Sequence, residues 1–551
     1  MAQHFTISTK PRKVNVWRAI GWGVTDCMGG GSGTVIGAYF MFFLTTFVGL
    51  DALKASSIIA ISRMLDMVTN VVVGSASDHM HHTKLGRRFG RRRIFLLLGV
   101  PLMLIFALLW IPGRSYWYYL VVFILFDISD SVVMVPYETL PSEMTDDYKE
   151  RTLMSTTRMF FSGASGYIAT IVSGLLLSWL GSNNPYAYTV LGACLAVFYA
   201  ACVLTTFLTT WERPYTPEML EEIAASKRYR AAKRRSLRRI ALELWTEVKD
   251  YLSTLRVRSF RQHLAIYLFG VTGQDVFSQI FMYFVVFDLL RTSAFASSLL
   301  SVGIIGLPLT FLWGALFVKI GPSKLYTLSF TLVLITVGGY YSLFMTHATG
   351  QVFIIAAYAI SVVFQTFKSI IYFVPWNVFP FIPDVDEIIT GKRREGRFAG
   401  MMNFSRKATS SLAGIAVGYL LTRYGFQSDA HTQTPAVQLS IANIMLFGVC
   451  SLTLIALVIA LRFSLNRDTH KTLVDEVARL RAGGAPEAVD PRVRGVVESL
   501  TGVKYGKLHH FIAEPATTAH ALKGTPAELD DEETISDAPR QDEPPIALQA
   551  A

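Results

Sequence analysis

Apolar runs of about twenty residues, long enough to cross a bilayer as helices, recur along this chain with short polar breaks between them. They fall near residues 18–48, 55–77, 94–112, 116–139, 153–181, 187–210, 263–290, 295–320, 324–346, 351–380, 398–423 and 436–462. Six precede a hydrophilic stretch at 211–262 and six follow it. The pattern predicts an all-α membrane protein with twelve transmembrane helices in two six-helix halves, 1–210 and 263–463. A basic linker, 211–262, joins the halves, and a tail, 464–551, follows the second.

The linker carries thirteen Lys/Arg against seven Asp/Glu, and Leu220 to Leu255 reads as one or two amphipathic surface helices. Loop charge sets orientation. The N-terminus, the 78–93 and 140–152 loops, the linker and Lys392–Arg397 are basic or mixed, whereas the alternate loops hold single charges or none. Both termini are therefore expected on the cytoplasmic side of an inner or plasma membrane. The tail is basic to about Lys507 and then acidic and Pro-rich, so its last thirty or so residues are expected to be disordered.

Composition agrees with this outline: 551 residues, 52% hydrophobic and only 17% charged. The net charge of +11 raises nucleic-acid binding, but its positive residues sit in loops, so topology explains them and no nucleic-acid partner is expected. The four cysteines (Cys27, Cys194, Cys202, Cys450) lie in apolar segments without metal-ligand spacing and read as buried small hydrophobes. Residues 1–15 hold no apolar run of signal-peptide type. Neither a nucleophile–base motif nor a nucleotide loop is seen, so an enzyme, a metal site and a cofactor are not expected.

Charges within the apolar runs narrow the reading. Arg63, Asp66, Asn70 and Gly74 stack on one helical face. A charge at bilayer depth costs roughly 2.5–3.5 kcal/mol on insertion scales, so such residues pair or line a polar path. Arg63 and Asp66 are expected to pair locally. Gly74 and Asp78, with Arg91, Arg92, Glu143 and Arg151, read as a cytoplasmic gate that latches helices together. Asp127, Asp130, Met134 and Glu138 share a face of the fourth span. Asp275 with Gln274 and Lys368 with Gln365 are further polar groups at depth, and Lys368 and Asp275 are placed to pair across the bundle.

Four stretches in order carry a family resemblance. They are Gly21-Trp22-Gly23-Val24-Thr25-Asp26; Arg63-x-x-Asp66 with Gly74-x-x-x-Asp78; Val135-Pro136-Tyr137 through Glu150-Arg151-Thr152 to Arg158; and Thr390-Gly391-x-Arg393-x-Glu395-Gly396 leading to Lys407. Over residues 20–425 the chain resembles the glycoside–pentoside–hexuronide:cation symporters, the melibiose permease-like group of the major facilitator superfamily. The resemblance implies the major facilitator fold and a sugar and cation site at Asp26, Asp66, Arg158 and Lys407. The physics of the residues agrees. Two carboxylates hold a cation or share a proton and grip sugar hydroxyls, while Arg158 and Lys407 balance them when the cation is absent.

Where cation-coupled members carry a second acid, this chain has Asn70, which cannot release a proton; H+ is therefore preferred to Na+ as the coupling ion. Asp130 is read as a relocated acidic helper. Lys368 is assigned to substrate, and Trp376 offers a ring on which a sugar stacks. The sequence thus predicts a monomeric importer of a sugar or glycoside, extended to a uronide by its deep cations, with membrane lipids around it. An uncoupled carrier, a lysolipid or amphiphile carrier, and a transporter-like sugar sensor are the alternatives.

Overall fold

A computed structural model describes residues 13–508, apart from 81–82, 146, 213–251, 392–393, 429 and 431. Among the described residues eight helices are long and apolar enough to cross a membrane. They are α1 (Val16–Thr46), α4 (Tyr116–Met144), α5 (Tyr148–Leu180), α6 (Pro185–Thr209), α8 (Ser293–Ile320), α9 (Pro322–Met345), α10 (Gly350–Val378) and α12 (Pro435–Leu461). Four further rods complete two sets of six: α2 (Ala52–His79), α3 (Arg93–Leu108), α7 (Arg258–Tyr283) and α11 (Glu395–Arg423). Three of these four carry charges at mid-length: Arg63 and Asp66 on α2, Asp275 on α7, and Arg406 and Lys407 on α11. Polarity at those positions is what lowers their hydropathy.

Local chemistry sets the ends. Asp147 caps α5 through the Lys149 and Glu150 amides, and Asn184 with Pro185 opens α6. Because caps rather than hydropathy end the rods, α4 runs on to Met144 through Pro136 and Pro141, and α5 starts at Tyr148. Both outrun the apolar stretches read at 116–139 and 153–181.

In the first half α1 packs on α5 and α2 on α4; in the second α9 packs on α10 and α7 on α12. Between halves the most extensive contacts are α2 with α11 and α5 with α8, and α1 also meets α7. Small residues permit the approach. A Cβ on Gly30 would lie 2.1 Å from the Ser162 carbonyl oxygen, and one on Gly418 would lie 2.1 Å from Ser56 Oγ. Cys27 and Cys202 are buried, as expected, but Cys450 is half-buried and Cys194 is exposed, because it lies on an outward face of α6.

The end opposite the N-terminus, here the distal end, is sealed by hydrogen bonds between the halves. Thr45 pairs with Tyr283 at 2.7 Å, Tyr39 donates to Ser297 at 2.8 Å, and Thr422 donates to Asp51 at 3.1 Å. Ser428 donates to the Leu50 carbonyl at 2.8 Å. Aromatic rings fill the space behind them, with Phe42 from the first half against Tyr283 and Phe287 from the second.

The first part of the tail is helical and docked. Two helices, α13 (Arg467–Arg481) and α14 (Pro491–Thr501), bury Leu473, Leu480, Val497 and Leu500. They dock on the start of α7 and on the short helix Ile382–Thr390. Ser259 donates to the Leu500 carbonyl at 2.7 Å, and His470 Nε2 lies 2.8 Å from Asp384. Arg481 pairs with Glu387. The helices expected at 220–255 and the disorder expected after about 520 lie outside the described residues.

A side chain at residue 418 would collide with α2. Gly418→Val is expected to lower the thermal melting point of the purified protein, overpacking of this kind costing about 1–3 kcal/mol. Gly338→Ala, at a position with nothing within 4 Å, is the control, and its melting curve should not fall.

Candidate functional site

Three charged clusters lie along the helices, and the second of them joins the halves. The first is built on a break in α1. Helix Val16–Gly23 stops and helix Asp26–Val35 restarts, bridged by tighter bonds from the Cys27 and Met28 amides to the Val24 and Thr25 carbonyls. Asp26 stands at the restart, buried, with Arg158 Nε at 3.4 Å from its Oδ2. Arg158 also donates to Glu138 at 2.6 Å, and its guanidinium lies 5.5 Å from the Tyr137 ring centre. Tyr137 is held in turn by Trp22, stacked at 4.8 Å. Met134 packs over Gly29 beside Asp26.

The second cluster centres on Asp66, which is 6% exposed. It accepts from Lys407 Nζ at 2.5 Å, from Ser131 Oγ at 2.6 Å and from Asn70 Nδ2 at 3.1 Å. Lys407 lies on α11, so this bond crosses from one half to the other. The expected local pair is absent: among the described residues Arg63 forms no ion pair with Asp66. Four residues apart, Asn70 fits beside Asp66 on one helical face, and the carboxylate takes the lysine instead. Asp127, buried, accepts from Ser62 at 2.6 Å. Arg63 and Lys407 act electrostatically on both Asp127 and Asp130. Three carboxyls thus face two cations, leaving one negative charge in excess if all are ionised.

The third cluster is in the second half. Arg406 grips Asp275 with two bonds, 2.6 and 2.8 Å. A bidentate fork outcompetes a single ammonium for a carboxylate, so Asp275 takes Arg406 rather than the expected Lys368. Lys368 lies within electrostatic reach of Asp275 and 5.9 Å from the Phe364 ring centre. One carboxylate faces two cations here, so the excess is positive. Tyr267 borders this cluster, and Trp376 lies edge-on to it with ring centres 6.2 Å apart. Trp376 is 41% exposed, open to a ligand yet displaced from the charges.

Lys407 and Arg158 keep about a third of their side-chain surface exposed, 32% and 30%. The end bearing the N-terminus lies opposite the sealed one. There the gate residues tie helices within the first half. Glu143 pairs with Arg91 and, at 3.3 Å, with Arg92. Glu212 accepts from the amides of Arg91, Arg92 and Arg93 at 2.7–2.8 Å. Arg151 donates to the Thr145 carbonyl at 2.9 Å, and Gly74 faces Val135. The Asp78 side chain lies outside the described residues. A separate, almost wholly apolar crevice of about 590 Å3 opens between α7, α11 and α12, with Arg261 among its lining residues.

Arg406, Ser131, Ser62 and Glu212 were not singled out from sequence. Arg406 carried a signal, being a second cation beside Lys407; a serine or a loop glutamate carries none.

Comparison with known proteins places these clusters in context. The family profile described as "MFS/sugar transport protein" matches residues 21–467. The uncharacterized symporter sll1374 of Synechocystis sp. is 24% identical, over 76% of this chain and 88% of its own. The Glucuronide carrier protein homolog of Escherichia coli is 22% identical over 84% of this chain and 95% of its own. Among solved structures, a bacterial homologue of the human peptide transporters PepT1 and PepT2 superposes with a TM-score of 0.52 at 12% identity. That match covers 85% of this chain and all of the other, and it shows the fold, that of major facilitator transporters.

Removing one partner of the inter-half bond strands a buried charge, which typically costs about 3–5 kcal/mol. Lys407→Met is therefore expected to lower the melting point sharply. The double variant Asp66→Asn/Lys407→Met should recover most of the loss, and a melting series of the four proteins measures the coupling.

Proposed function

The chain belongs to the MFS/sugar transport protein family, and from that premise we propose that it imports a sugar or glycoside by proton symport through alternating access. The family and its relatives are transporters, not enzymes, and the family description with the names of several relatives supports symport of a sugar or glycoside in general. The chain is accordingly an integral, multi-pass membrane protein. Substrate, ion and direction are the finer reading.

The observation that carries it is the bond from Lys407 to Asp66 beside the surplus carboxylate charge. While Asp66 is ionised, Lys407 belongs to it and the halves are tied at mid-depth. Protonation of Asp66 cancels the attraction and frees the ammonium for a substrate hydroxyl. Ion binding and substrate binding are thereby coupled. A proton suits this site better than sodium. Every partner hydrogen-bonded to Asp66 (Lys407, Ser131 and Asn70) is a donor, whereas sodium would need a cage of acceptor oxygens and the expulsion of Lys407. Asp130, which accepts no hydrogen bond among the described residues, stands beside it as the next carboxyl for a relay.

The opposite surplus, on Lys368 and Arg406, supports a substrate that bears a carboxylate. A uronide laid across the cavity would set its hydroxyls toward Asp26 and Asp66 and its carboxylate toward Lys368. The E. coli relative's name points the same way. Trp376 and Tyr267 would then flank the ring.

External pH of a lightly buffered suspension of de-energised cells tests this as glycosides and uronides are added singly. Alkalinisation by a uronide, abolished in Asp66→Asn, is expected; a flat trace with every compound would remove proton symport of these sugars. Lys368→Met is expected to weaken apparent affinity for a uronide by tenfold or more while sparing the matching neutral glycoside. That split is read from uptake of the two labelled compounds.

A further inference from the structure

A carboxyl far from the three clusters has no assigned task. Asp288 closes the wide turn Phe284–Asp288 that continues α7 to the distal end. It is 8% exposed, and neither Oδ1 nor Oδ2 accepts a hydrogen bond among the described residues. The turn is a π-helix, a form that appears mostly as single turns, frequently at functional sites, and α1 holds another at Ile36–Phe40. Two residues on, Leu290 adopts a φ of 52°, strained for a branched side chain.

Among the described residues the surroundings offer Asp288 no counter-charge; Phe426, in the loop after α11, packs on Phe287, and that loop's Asp429 and His431 lie outside the described residues. The start of α12, Pro435–Asn443, carries no ionisable side chain, and neither does Ser293–Ser301 of α8. The facing part of α1, Met41–Thr46, has none either. On α7 the Tyr283 hydroxyl is bonded to Thr45. Arg291, three residues away, forms no ion pair with Asp288 among the described residues; its guanidinium lies 4.6 Å from the Phe353 ring centre. His347, at the end of α9, packs on Phe344. Phe287, the residue before Asp288, is wedged among Phe42, Tyr283 and Phe426, the rings that join the halves. Its carbonyl accepts from Gln438 at 2.6 Å.

We propose that Asp288 is a second proton-binding site, whose carboxyl carries a proton when the distal end is sealed and releases it when that end opens. A bare carboxylate without donor or cation would bear the full cost of a buried charge. As a neutral acid it fits the aromatic seal. Parting of the halves at Phe42 and Phe287 admits water, and the hydrated acid, with the ordinary carboxyl pKa of about 3.9, is ionised at neutral pH. The sign follows: acid on the distal side favours the sealed form, and alkali favours the open one. Sealing thus takes up a proton from the distal side, independently of Asp66. The proposal rests on the alternating-access reading, but it concerns the gate and not the substrate.

The test is the distance across the distal end, measured by double electron–electron resonance in nanodiscs without substrate. Spin labels are placed by Asn183→Cys and Gln427→Cys, on exposed loops of the two halves, in protein with the four native cysteines replaced by alanine. Between about pH 5 and about pH 9 the distribution should shift to longer separation. Asp288→Asn, which keeps the shape of the neutral acid, should hold the short distance throughout, and Asp288→Glu should restore the shift. A pH-independent distance in the parent protein, or the same shift in Asp288→Asn, would overturn the proposal. So would a shift driven by sodium at constant pH, which would make Asp288 a metal-cation site. Because no sugar is present, failure of uronide transport leaves this result standing, and the reverse also holds.

Discussion

The bond between Lys407 and Asp66 is the constraint around which the rest is arranged. Both charges sit at a depth where an unpaired one is not tolerated, and each belongs to a different half. Ser131 and Asn70 complete the carboxylate's hydrogen bonds, so its position is fixed from three helices at once. The close packing of α2 on α11, which Gly418 permits, brings the two ends within bonding reach. A site built this way is stable only while its charge is balanced.

The molecule places different chemistry at each level. Neutral hydrogen bonds and aromatic rings seal the distal end, ion pairs occupy the middle, and arginine–glutamate pairs tie the first half at the end bearing the N-terminus. Neutral contacts separate without leaving a bare charge behind, which suits a surface that must open and close. Ion pairs within one half hold that half rigid as it moves. The surplus negative charge of the first half and the surplus positive charge of the second face each other across the cavity, a field that orients a polar ligand before it touches either wall.

Much of the architecture was legible in the sequence because apolar run length and loop charge are one-dimensional quantities. Asp26, Asp66, Arg158 and Lys407 were legible because charges in apolar helices stand out and fall within a recognisable order of motifs. Their pairing was not. Asp66 and Lys407 are 341 residues apart, and nothing local says that Asp66 prefers Lys407 to Arg63, or that Arg406 displaces Lys368 at Asp275. Asp288 escaped notice because an acid at the end of an apolar run looks like an ordinary loop residue. The tail helices were hidden for a related reason. Leu473, Val477 and Leu480 make an apolar stripe, but only the underside of α7 and the Ile382–Thr390 segment give that stripe something to cover.

That docked tail has a consequence for how the molecule is made. The first half contains the partners for its own helices by residue 212, so it can assemble in the membrane while the ribosome is still producing the rest. The second half cannot. Ser259, at the root of its first helix, waits for the carbonyl of Leu500, and the segment before α11 waits for His470 and Arg481. Roughly 240 residues of synthesis separate the two ends of that first contact. During that interval the start of α7 and the Ile382–Thr390 segment lack the cover that Leu473, Leu480, Val497 and Leu500 give them in the finished molecule, so the second half completes its packing only after its tail has been made.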